Sequence, residues 1–227
     1  MQDWQTLNQV LFDCRLCPRL VEWRQAVADS PRRAYRGQAY WGRPVPGFGD
    51  PQAALLAVGL APGAHGSNRT GRMFTGDSSG DFLYPALHRA GFASQPLSRQ
   101  CGDGLELKGL FISSVCRCAP PENKPLPQEI ANCQPYLEAE IALLGPLQGY
   151  VALGAVAFEQ ILRFYRRQGC SLPPLAFAHA AEYELGPGLP WLIASYHPSR
   201  QNTQTGRLTA EMFDRVWQQA RARLQSG

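Results

Sequence analysis

The side chains best suited to chemistry lie in two polar loops that are far apart in the sequence. The first loop, between residues 59 and 83, carries an aspartate, a phenylalanine and a histidine (Asp77, Phe74 and His65), and the second begins with His197. A carboxylate can stabilise a cationic sugar or position water, and a hydrogen-bond donor can stabilise a departing base. With an aromatic face that stacks on the base, these groups suit cleavage of a base–sugar bond, which passes through an oxocarbenium-like state.

Each of these residues also has a purely structural interpretation. Asp77 precedes the segment Ser-Ser-Gly-Asp-Phe, which is the pattern of a helix N-cap. A single histidine after a strand, such as His197, is more often a structural hydrogen-bonding residue than a catalytic one. The chemical interpretation therefore requires that the two loops meet at one crevice.

Seven cysteines are many for a chain of this length, and four of them have a spacing that could bind a metal centre. Cys14 and Cys17 form a C-x2-C pair, and Cys118 and Cys133 follow later in the chain. Four thiolates could complete a tetrahedral zinc site or an iron–sulfur cubane, and the spacing leaves the choice of metal open. Cys116 is an alternative to Cys118 as a ligand. We prefer Cys118, because it lies in a proline-rich turn whose backbone could wrap around a cluster. The C-x2-C pair alone is equally typical of buried thiols.

Alternating strands and helices must position these loops. Apolar runs predict buried strands at residues 53–58, 109–115, 150–153 and 191–196. Helical patterns occupy residues 79–90, 127–144, 155–167 and 207–224, and residues 172–185 could form an edge strand. This alternation predicts a parallel sheet with helices on both faces. Both polar loops then lie at the carboxyl edge of the sheet, where open α/β sheets bind ligands.

The first fifty residues predict an interrupted helix and an ordered loop. Residues 4–28 read as a helix that is interrupted near Pro18, with Leu7, Val10, Leu11 and both early cysteines on its apolar face. Residues 30–51 repeat glycine, proline and aromatic residues without periodicity. Their arginines (Arg32, Arg33, Arg36 and Arg43) alternate with aromatic rings and could line a strand of nucleic acid. The alternative is a surface loop with aromatic anchors.

The bulk composition is that of an ordinary globular protein. The chain has 227 residues, 44% of them hydrophobic, which predicts one domain with one sizeable core. No apolar run approaches the ~20 residues that span a bilayer, and the first residues do not resemble a signal peptide. We therefore expect a cytoplasmic protein without stable disulfides. The net charge of +4 is mild, although the chain has twenty arginines and only two lysines, and arginine suits phosphate contacts.

Several long motifs make the family recognisable. The segments GLAPGAHGSNRTGRMFTGDSSGDF, CRCAPPENKP and HPSRQN, together with the early C-x2-C pair, resemble the iron–sulfur uracil-DNA glycosylases, and most closely the fifth family, or type b. The resemblance covers nearly the whole chain. It implies an α/β fold in which helices sandwich a central four-stranded parallel sheet in three layers. It also implies a monomeric DNA-repair enzyme with one structural [4Fe–4S] cluster.

The resemblance assigns a role to individual residues. The cluster ligands by motif position are Cys14, Cys17, Cys118 and Cys133. The catalytic residues are Asp77, His197 and Asn123, of which His197 would stabilise charge on the leaving base. The substrate-binding residues are Gly59, Leu60, Ala61, Gly63, Phe74 and Ser114, and the ring of Phe74 would stack on the extruded base. The residues expected to contact DNA are Arg69, Arg72, Ser199, Arg200, Gln201 and Asn202.

Two positions separate this chain from the fourth family of the same enzymes. Leu60 stands where the fourth family has a glutamate, as is expected for type b. Ser114 stands where the fourth family has an asparagine that recognises pyrimidine bases. A serine imposes less selectivity on a base edge than a bidentate amide does. We therefore expect excision of hypoxanthine and xanthine as well as uracil from DNA. The alternative function is a non-catalytic, metal-stapled nucleic-acid-binding module, which would explain the cysteines and arginines but not the converging loops.

Overall fold

A six-stranded sheet forms the centre of the computed structural model, which describes residues 3–145 and 147–226. Four parallel strands make its core: β2 (Leu55–Gly59), β3 (Leu110–Ser114), β4 (Gly149–Leu153) and β6 (Trp191–Ser195). The short strands β1 (Phe48–Gly49) and β5 (Glu182–Glu184) pair antiparallel at the two edges. The predicted four-stranded parallel sheet is confirmed, and each of its edges gains one short strand.

Helices cover both faces of this sheet. The longer ones are α1 (Trp4–Phe12), α2 (Pro18–Asp29), α4 (Ser78–Arg89), α5 (Pro127–Leu143), α6 (Ala155–Arg167) and α8 (Ala210–Gln225). Two short helices, α3 (Ser67–Thr70) and α7 (Arg200–Gln204), lie in the polar loops, and single 3₁₀ turns occupy Arg33–Tyr35 and Pro121–Asn123. In the described part of the chain, no helix is long and apolar enough to cross a membrane.

The side chains of each core strand alternate between two separate cores. Leu55 and Ala57 of β2 pack in a cluster with residues of α4 and α8, whereas Leu56 and Val58 pack with residues of α5 and α6. All five residues of each core strand are buried. Burial of both faces explains why these strands appear in the sequence as unbroken apolar runs. The three-layer α/β/α architecture is therefore confirmed.

The N-terminal region forms a helical hairpin that lies mostly outside these two cores, although Trp4 of α1 packs on Phe111. The break between α1 and α2 contains Cys14 and Cys17, and Pro18 begins the second helix, where the lack of an N–H costs nothing. Leu7 and Leu11 pack with Tyr136 of α5 in a small cluster of their own. The prediction that Val10 shares this face is wrong, since its side chain is 49% exposed.

The strand order creates a crevice at the carboxyl edge. The order is β1-β3-β2-β4-β6-β5, so the chain runs outward from β2 to β3 and then crosses back to β4. Such a reversal between neighbouring strands is a topological switch point, and ligands of open α/β sheets bind there. The loop after β2 contains Phe74 and Asp77, and the loop after β6 begins at Tyr196 and contains His197.

Candidate active site and cysteine cluster

Asp77 is the N-cap of α4, and only one of its carboxylate oxygens is used for capping. Oδ1 accepts hydrogen bonds from the backbone N–H groups of Ser79 (3.0 Å) and Gly80 (3.2 Å). Oδ2 lies against the turn that follows β2, where a methyl group on Gly66 would be 1.9 Å away and one on Gly63 would be 2.6 Å away. The structural and chemical interpretations of Asp77 are thus compatible, because capping the helix uses only Oδ1.

Burial sets the protonation behaviour of this carboxyl group. Removal from water raises the pKa of Asp77 above its ordinary value, and the N–H donors of Gly80 and Ser79 oppose that rise. The charge of nearby Asp81 also raises the pKa, whereas the charge of Arg69 lowers it. The carboxylate is therefore a better base than one in water. The role of Gly66 in holding it was not predicted, since it depends on a contact between residues eleven positions apart.

Phe74 lies in a backbone conformation that L-residues rarely adopt. Its φ is 51°, in the left-handed region, which costs of order 1–3 kcal/mol for a bulky residue. Its neighbours hold it there: the hydroxyl of Tyr84 donates to the carbonyl of Met73 (2.7 Å), and Gly80 leaves room for the carbonyl of Phe74. The ring covers Gly59 at the end of β2, where any side chain would collide with it. Strain of this kind concentrates at functional sites.

His197 approaches Phe74 from the loop after β6. The two rings are 5.8 Å apart between centroids and tilted by 32°. Gly154, directly after β4, adjoins the histidine and has a φ of 103°, a conformation that L side chains rarely adopt. A methyl group there would make only ordinary contact with the Cβ atom of His197, at 3.5 Å. Burial lowers the pKa of His197 to about 4, so the imidazole is neutral at neutral pH and can donate a hydrogen bond. The two polar loops therefore meet, as the chemical interpretation requires.

The backbone around His197 is held from both sides. The side-chain amide of Asn202 donates to the carbonyl of His197 (2.8 Å), and Ser199 caps α7 by accepting from the N–H of Asn202 (3.4 Å). The N–H of Tyr196 donates to Nδ1 of His179 (3.1 Å), whose ring stacks on Tyr196 at 4.8 Å. His179 lies in the weakly patterned segment before β5, and nothing in its sequence context indicates this role. Arg200 and Gln201 are exposed.

The remaining substrate-binding candidates border the same crevice. The carbonyls of Gly59 and Leu60 accept hydrogen bonds from Val115 and Cys116, both at 2.9 Å, which extends the pairing of β2 and β3 into the loop. Ala61 is partly buried against the core on the α5 and α6 side of the sheet. Ser114 is buried at the end of β3, and its hydroxyl donates to the carbonyl of Cys116 (2.6 Å).

Asn123 lies in the proline-rich turn and is exposed. Both Asn123 and Glu122 have a positive φ (57° and 54°), in a 3₁₀ turn that starts at Pro121. Within the described ranges its side-chain amide makes no hydrogen bond, so the amide is free to meet a ligand. Among the residues that the structure describes, no hydrogen bond or ring contact joins Asn123 to Phe74, Asp77 or His197.

The placement of Arg69 and Arg72 does not support their predicted contact with DNA. Arg72 is buried, and its guanidinium binds both carboxylate oxygens of Asp103 (2.8 and 2.7 Å) as well as Ser98. Arg69 donates to the carbonyls of His65 (2.8 Å) and Gly76 (2.9 Å) and to the side chain of Gln38. Both guanidinium groups are therefore used inside the protein. Arg69 supports the Asp77 loop, and Arg72 supports the segment of Phe74.

The four predicted cluster ligands line one narrow cavity. Cys14 and Cys17, from the N-terminal hairpin, face Cys118 and Cys133 across it. Cys116 does not line this cavity and packs instead in the core on the α5 and α6 side. In the described part of the chain, no three histidine, cysteine, aspartate or glutamate side chains converge on a single metal ion. A cubane cluster does not require such convergence, because each of its four thiolates binds a different iron.

Hydrogen-bond donors reach three of these four sulfurs. Arg24 donates to Sγ of Cys118 (2.8 Å), and its Nε is buried without a protein partner. Asn132 donates to Sγ of Cys17 (3.4 Å), and the backbone N–H of Arg117 donates to Sγ of Cys133 (3.5 Å). Burial raises the pKa of Cys118 to about 12, against the opposing charge of Arg24, so a bound metal would be needed to keep this sulfur ionised.

A buried ion pair connects this cysteine-containing turn to the rest of the protein. Arg117 and Glu140 are 1% and 2% exposed, and the guanidinium donates to both carboxylate oxygens. Glu140 also accepts hydrogen bonds from the hydroxyl of Ser113 (2.6 Å) and from the N–H of Gly47 (3.2 Å). The carboxylate of Glu140 thus joins α5 to β3, to the loop of residues 30–51 and to the turn that contains Cys116 and Cys118.

Comparisons with known proteins agree with this architecture. The family model of the uracil DNA glycosylase superfamily matches residues 46–221. A type-5 uracil-DNA glycosylase of Thermus thermophilus is 54% identical over 96% of this chain and 97% of its own length. Enzymes of the same name from Mycobacterium bovis and Pyrobaculum aerophilum are 50% and 43% identical, over 95% and 93% of this chain and 80% and 89% of their own lengths. The chain therefore belongs to the uracil DNA glycosylase superfamily and, within it, to the type-5 enzymes.

Proposed function

We propose that this enzyme excises uracil from DNA by hydrolysing the bond between the base and deoxyribose, leaving an abasic site. The observation that carries the proposal is the meeting of the two loops, which brings the ring of Phe74 to 5.8 Å from that of His197. In the same loop after β2, Phe74 lies against Gly59 and the Asp77 carboxylate lies against Gly63 and Gly66. The names of the relatives support the enzyme over the non-catalytic binding module.

Asp77 would act on the sugar side of the bond. When the glycosidic bond breaks, its electron pair leaves with the base and the sugar becomes cationic. The Oδ2 atom, which makes no protein hydrogen bond in the described ranges, could stabilise that cation or accept a proton from the water that adds to C1′. The raised pKa of Asp77 favours the second role, since a stronger base accepts a proton more readily.

The base would be held by groups from three loops. Phe74 offers an aromatic face, and Ser114 and Asn123 offer a hydroxyl and an amide for the base edge. The neutral imidazole of His197 would donate a hydrogen bond to a base oxygen that gains negative charge as the bond breaks. Because the ring is partly buried, this interaction is stronger than it would be in water.

We also propose a relaxed choice of base. A hydroxyl at position 114 already bonded to the carbonyl of Cys116 leaves only its oxygen lone pairs for the substrate, so it cannot enforce a two-point pyrimidine pattern. Duplexes carrying uracil, hypoxanthine or xanthine test this, and Ser114→Asn is the matched variant. We expect wild type to release all three bases and the variant to favour uracil; strict rejection of both purines by wild type would contradict the proposal.

A [4Fe–4S] cluster on Cys14, Cys17, Cys118 and Cys133 is the cofactor that we propose. It would be structural, because it would join the N-terminal hairpin to α5 and to the proline-rich turn. Iron and sulfide analysis of purified protein tests its presence, and Cys118→Ser should abolish metal retention whereas Cys116→Ser should preserve it. One zinc per chain, or equal losses in the two variants, would refute the assignment.

The DNA partner would be contacted beside the active site by the segment Ser199, Arg200, Gln201 and Asn202. Arg200 and Gln201 are exposed there, and Ser199 and Asn202 shape the turn that presents them. A monomer in the cytoplasm is the proposed working form. Sedimentation of the protein with and without DNA tests the monomer.

Strand scission by alkali tests the central proposal. A uracil-containing duplex incubated with wild-type protein should break at the uracil position after alkali treatment, and the matching thymine duplex should not. Asp77→Ala should retain DNA binding and lose scission. Binding by wild type without scission would favour the non-catalytic module.

A further inference from the structure

An arginine-rich surface lies next to the active site and takes no part in the chemistry described above. It is formed by the exposed side chains of Arg32, Arg33, Arg36 and Arg43 around the partly buried rings of Tyr35 and Tyr40. We refer to these six residues as the arginine shelf. No carboxylate pairs with any of these four arginines in the described part of the chain, so their charges face solvent.

The shelf is attached directly to the loop that carries Asp77. The hydroxyl of Tyr40 lies 2.9 Å from Nδ1 of His65, and the guanidinium of Arg69 stacks on the ring of Tyr35 at 4.2 Å. The backbone adds a further tie, because the N–H of Trp41 donates to the carbonyl of Arg69 (2.9 Å). His65 and Arg69 flank Gly66, against which the Asp77 carboxylate lies. The shelf therefore borders the catalytic crevice.

Several exposed arginines elsewhere on the protein pair with carboxylates. On α6, Arg163 and Arg166 pair with Glu159, and Arg167 pairs with Glu138. Arg89 pairs with Asp214, and Arg223 with Glu184. The four shelf arginines differ from these paired ones, and they add unpaired positive charge beside the crevice although the net charge of the chain is only +4.

We propose that the arginine shelf is a second DNA-contacting surface, which binds backbone phosphates of the strand next to the excised base. This inference rests on the proposed function. Guanidinium groups bind phosphate oxygens, and rings placed between them offer faces on which an unpaired base can stack. The shelf and the segment around Arg200 belong to different loops of the crevice, so DNA would be gripped from two directions. The contacts made by Arg69 and Tyr40 would hold the shelf in place, and these two side chains would take no part in the reaction.

Salt dependence of binding measures this contact. Each phosphate contact contributes a slope of about −0.9 to log K against log salt. The variant Arg32→Gln/Arg33→Gln/Arg36→Gln should therefore reduce the magnitude of the slope by about 2–3 and weaken binding at least about tenfold at ~0.1 M salt. The probe is a duplex that carries a non-cleavable abasic analogue, so binding is measured without turnover.

A control variant removes the same charge from another surface. Arg163→Gln/Arg166→Gln/Arg167→Gln also lowers the net charge by three, but these arginines already face carboxylates. We expect its slope and its uracil excision to stay near those of wild type. Equal changes of slope in the two triple variants, or none in the shelf variant, would overturn the proposal.

Two further measurements separate the possible failures. If the shelf variant loses its thermal transition, the single variant Arg33→Gln replaces it, with an expected slope change of about 0.9. If wild type binds the duplex but releases no uracil, the proposed function fails while the shelf is still tested by the salt slope. A single variant that leaves the slope unchanged counts against the shelf.

Discussion

Replacing Gly66 by alanine should disable the enzyme although Gly66 itself is not proposed to meet the substrate. The added methyl carbon would lie 1.9 Å from Oδ2 of Asp77 and 2.6 Å from its Cγ. Ordinary contact needs about 3.4 Å, so the carboxylate must retreat by about 1.5 Å (3.4 minus 1.9). A misplacement of 1 Å can cost about 100-fold in rate, or about 2.7 kcal/mol of transition-state stabilisation. We expect the single-turnover rate of uracil release to fall at least about 100-fold.

A double-mutant cycle shows whether the loss acts through the carboxylate. If it does, Gly66→Ala should cost less than about threefold in an Asp77→Ala background, because residues that act as a unit are non-additive. Gly63→Ala is the graded control: its methyl would lie 2.6 Å from Oδ2, which requires a retreat of about 0.8 Å and a smaller loss. Urea unfolding of each variant verifies that it remains folded.

Two results would refute this reasoning. A Gly66→Ala enzyme that releases uracil within about threefold of the wild-type rate would mean that the carboxylate position does not limit the reaction. An equal loss with and without Asp77 would mean that Gly66 acts on something other than the carboxylate.

Three more outcomes are expected. Because burial raises the pKa of Asp77, the single-turnover rate should fall as the pH drops through a value above the ordinary 3.8. The variant Asp77→Asn should lack this fall at acid pH and be at least about 100-fold slower; if the variant keeps the fall, another group is responsible for it. Arg69→Gln removes the charge that favours the carboxylate and should move this fall to higher pH, whereas Arg69→Lys should move it less; an unmoved fall in both variants would contradict the role of Arg69. Glu140→Gln leaves Arg117 buried without a counter-charge, so it should lower the free energy of unfolding by about 3–5 kcal/mol and Tm by roughly 10 °C in calorimetry. Glu122→Gln, which breaks an exposed ion pair, should lower the free energy of unfolding by less than about 1 kcal/mol. Equal shifts in Tm would show that the buried pair contributes no more than the exposed one.

The sheet was predictable because burial leaves a direct mark on the sequence. Runs such as residues 53–58 and 150–153 are apolar throughout because helices cover both faces of the sheet, and the helix Ala155–Arg167 was predicted with its observed bounds. The N-cap at Asp77 was predictable for a similar local reason, since a short polar side chain directly before a helix can accept hydrogen bonds from the N–H groups of the first turn. Such features depend on neighbours within a few positions.

The commitments of the loop side chains were not predictable, because their partners are distant in sequence. Arg72 reads as a phosphate-binding residue until Asp103, 31 positions later, is found to occupy its guanidinium. Arg69 likewise depends on Gln38 and on two backbone carbonyls of its own loop. Spacing could not decide between Cys116 and Cys118, because their surroundings depend on the path of the chain after β3: Cys118 lines the cavity, and Cys116 packs in the core beside Cys133.

The N-terminal hairpin has a consequence for the order in which the molecule comes apart. Its buried leucines, Leu7, Leu11 and Leu20, belong to two small clusters and make no part of the cores on either face of the sheet. Sub-global opening selects regions with few apolar contacts, so in protein stripped of its metal residues 3–29 should detach while the strands are still paired. Amide protons of α1 and α2 would then exchange with solvent faster than those of β2 and β4. Loss of the metal would therefore open the cavity between the hairpin and α5 first, while the catalytic edge of the sheet is still folded.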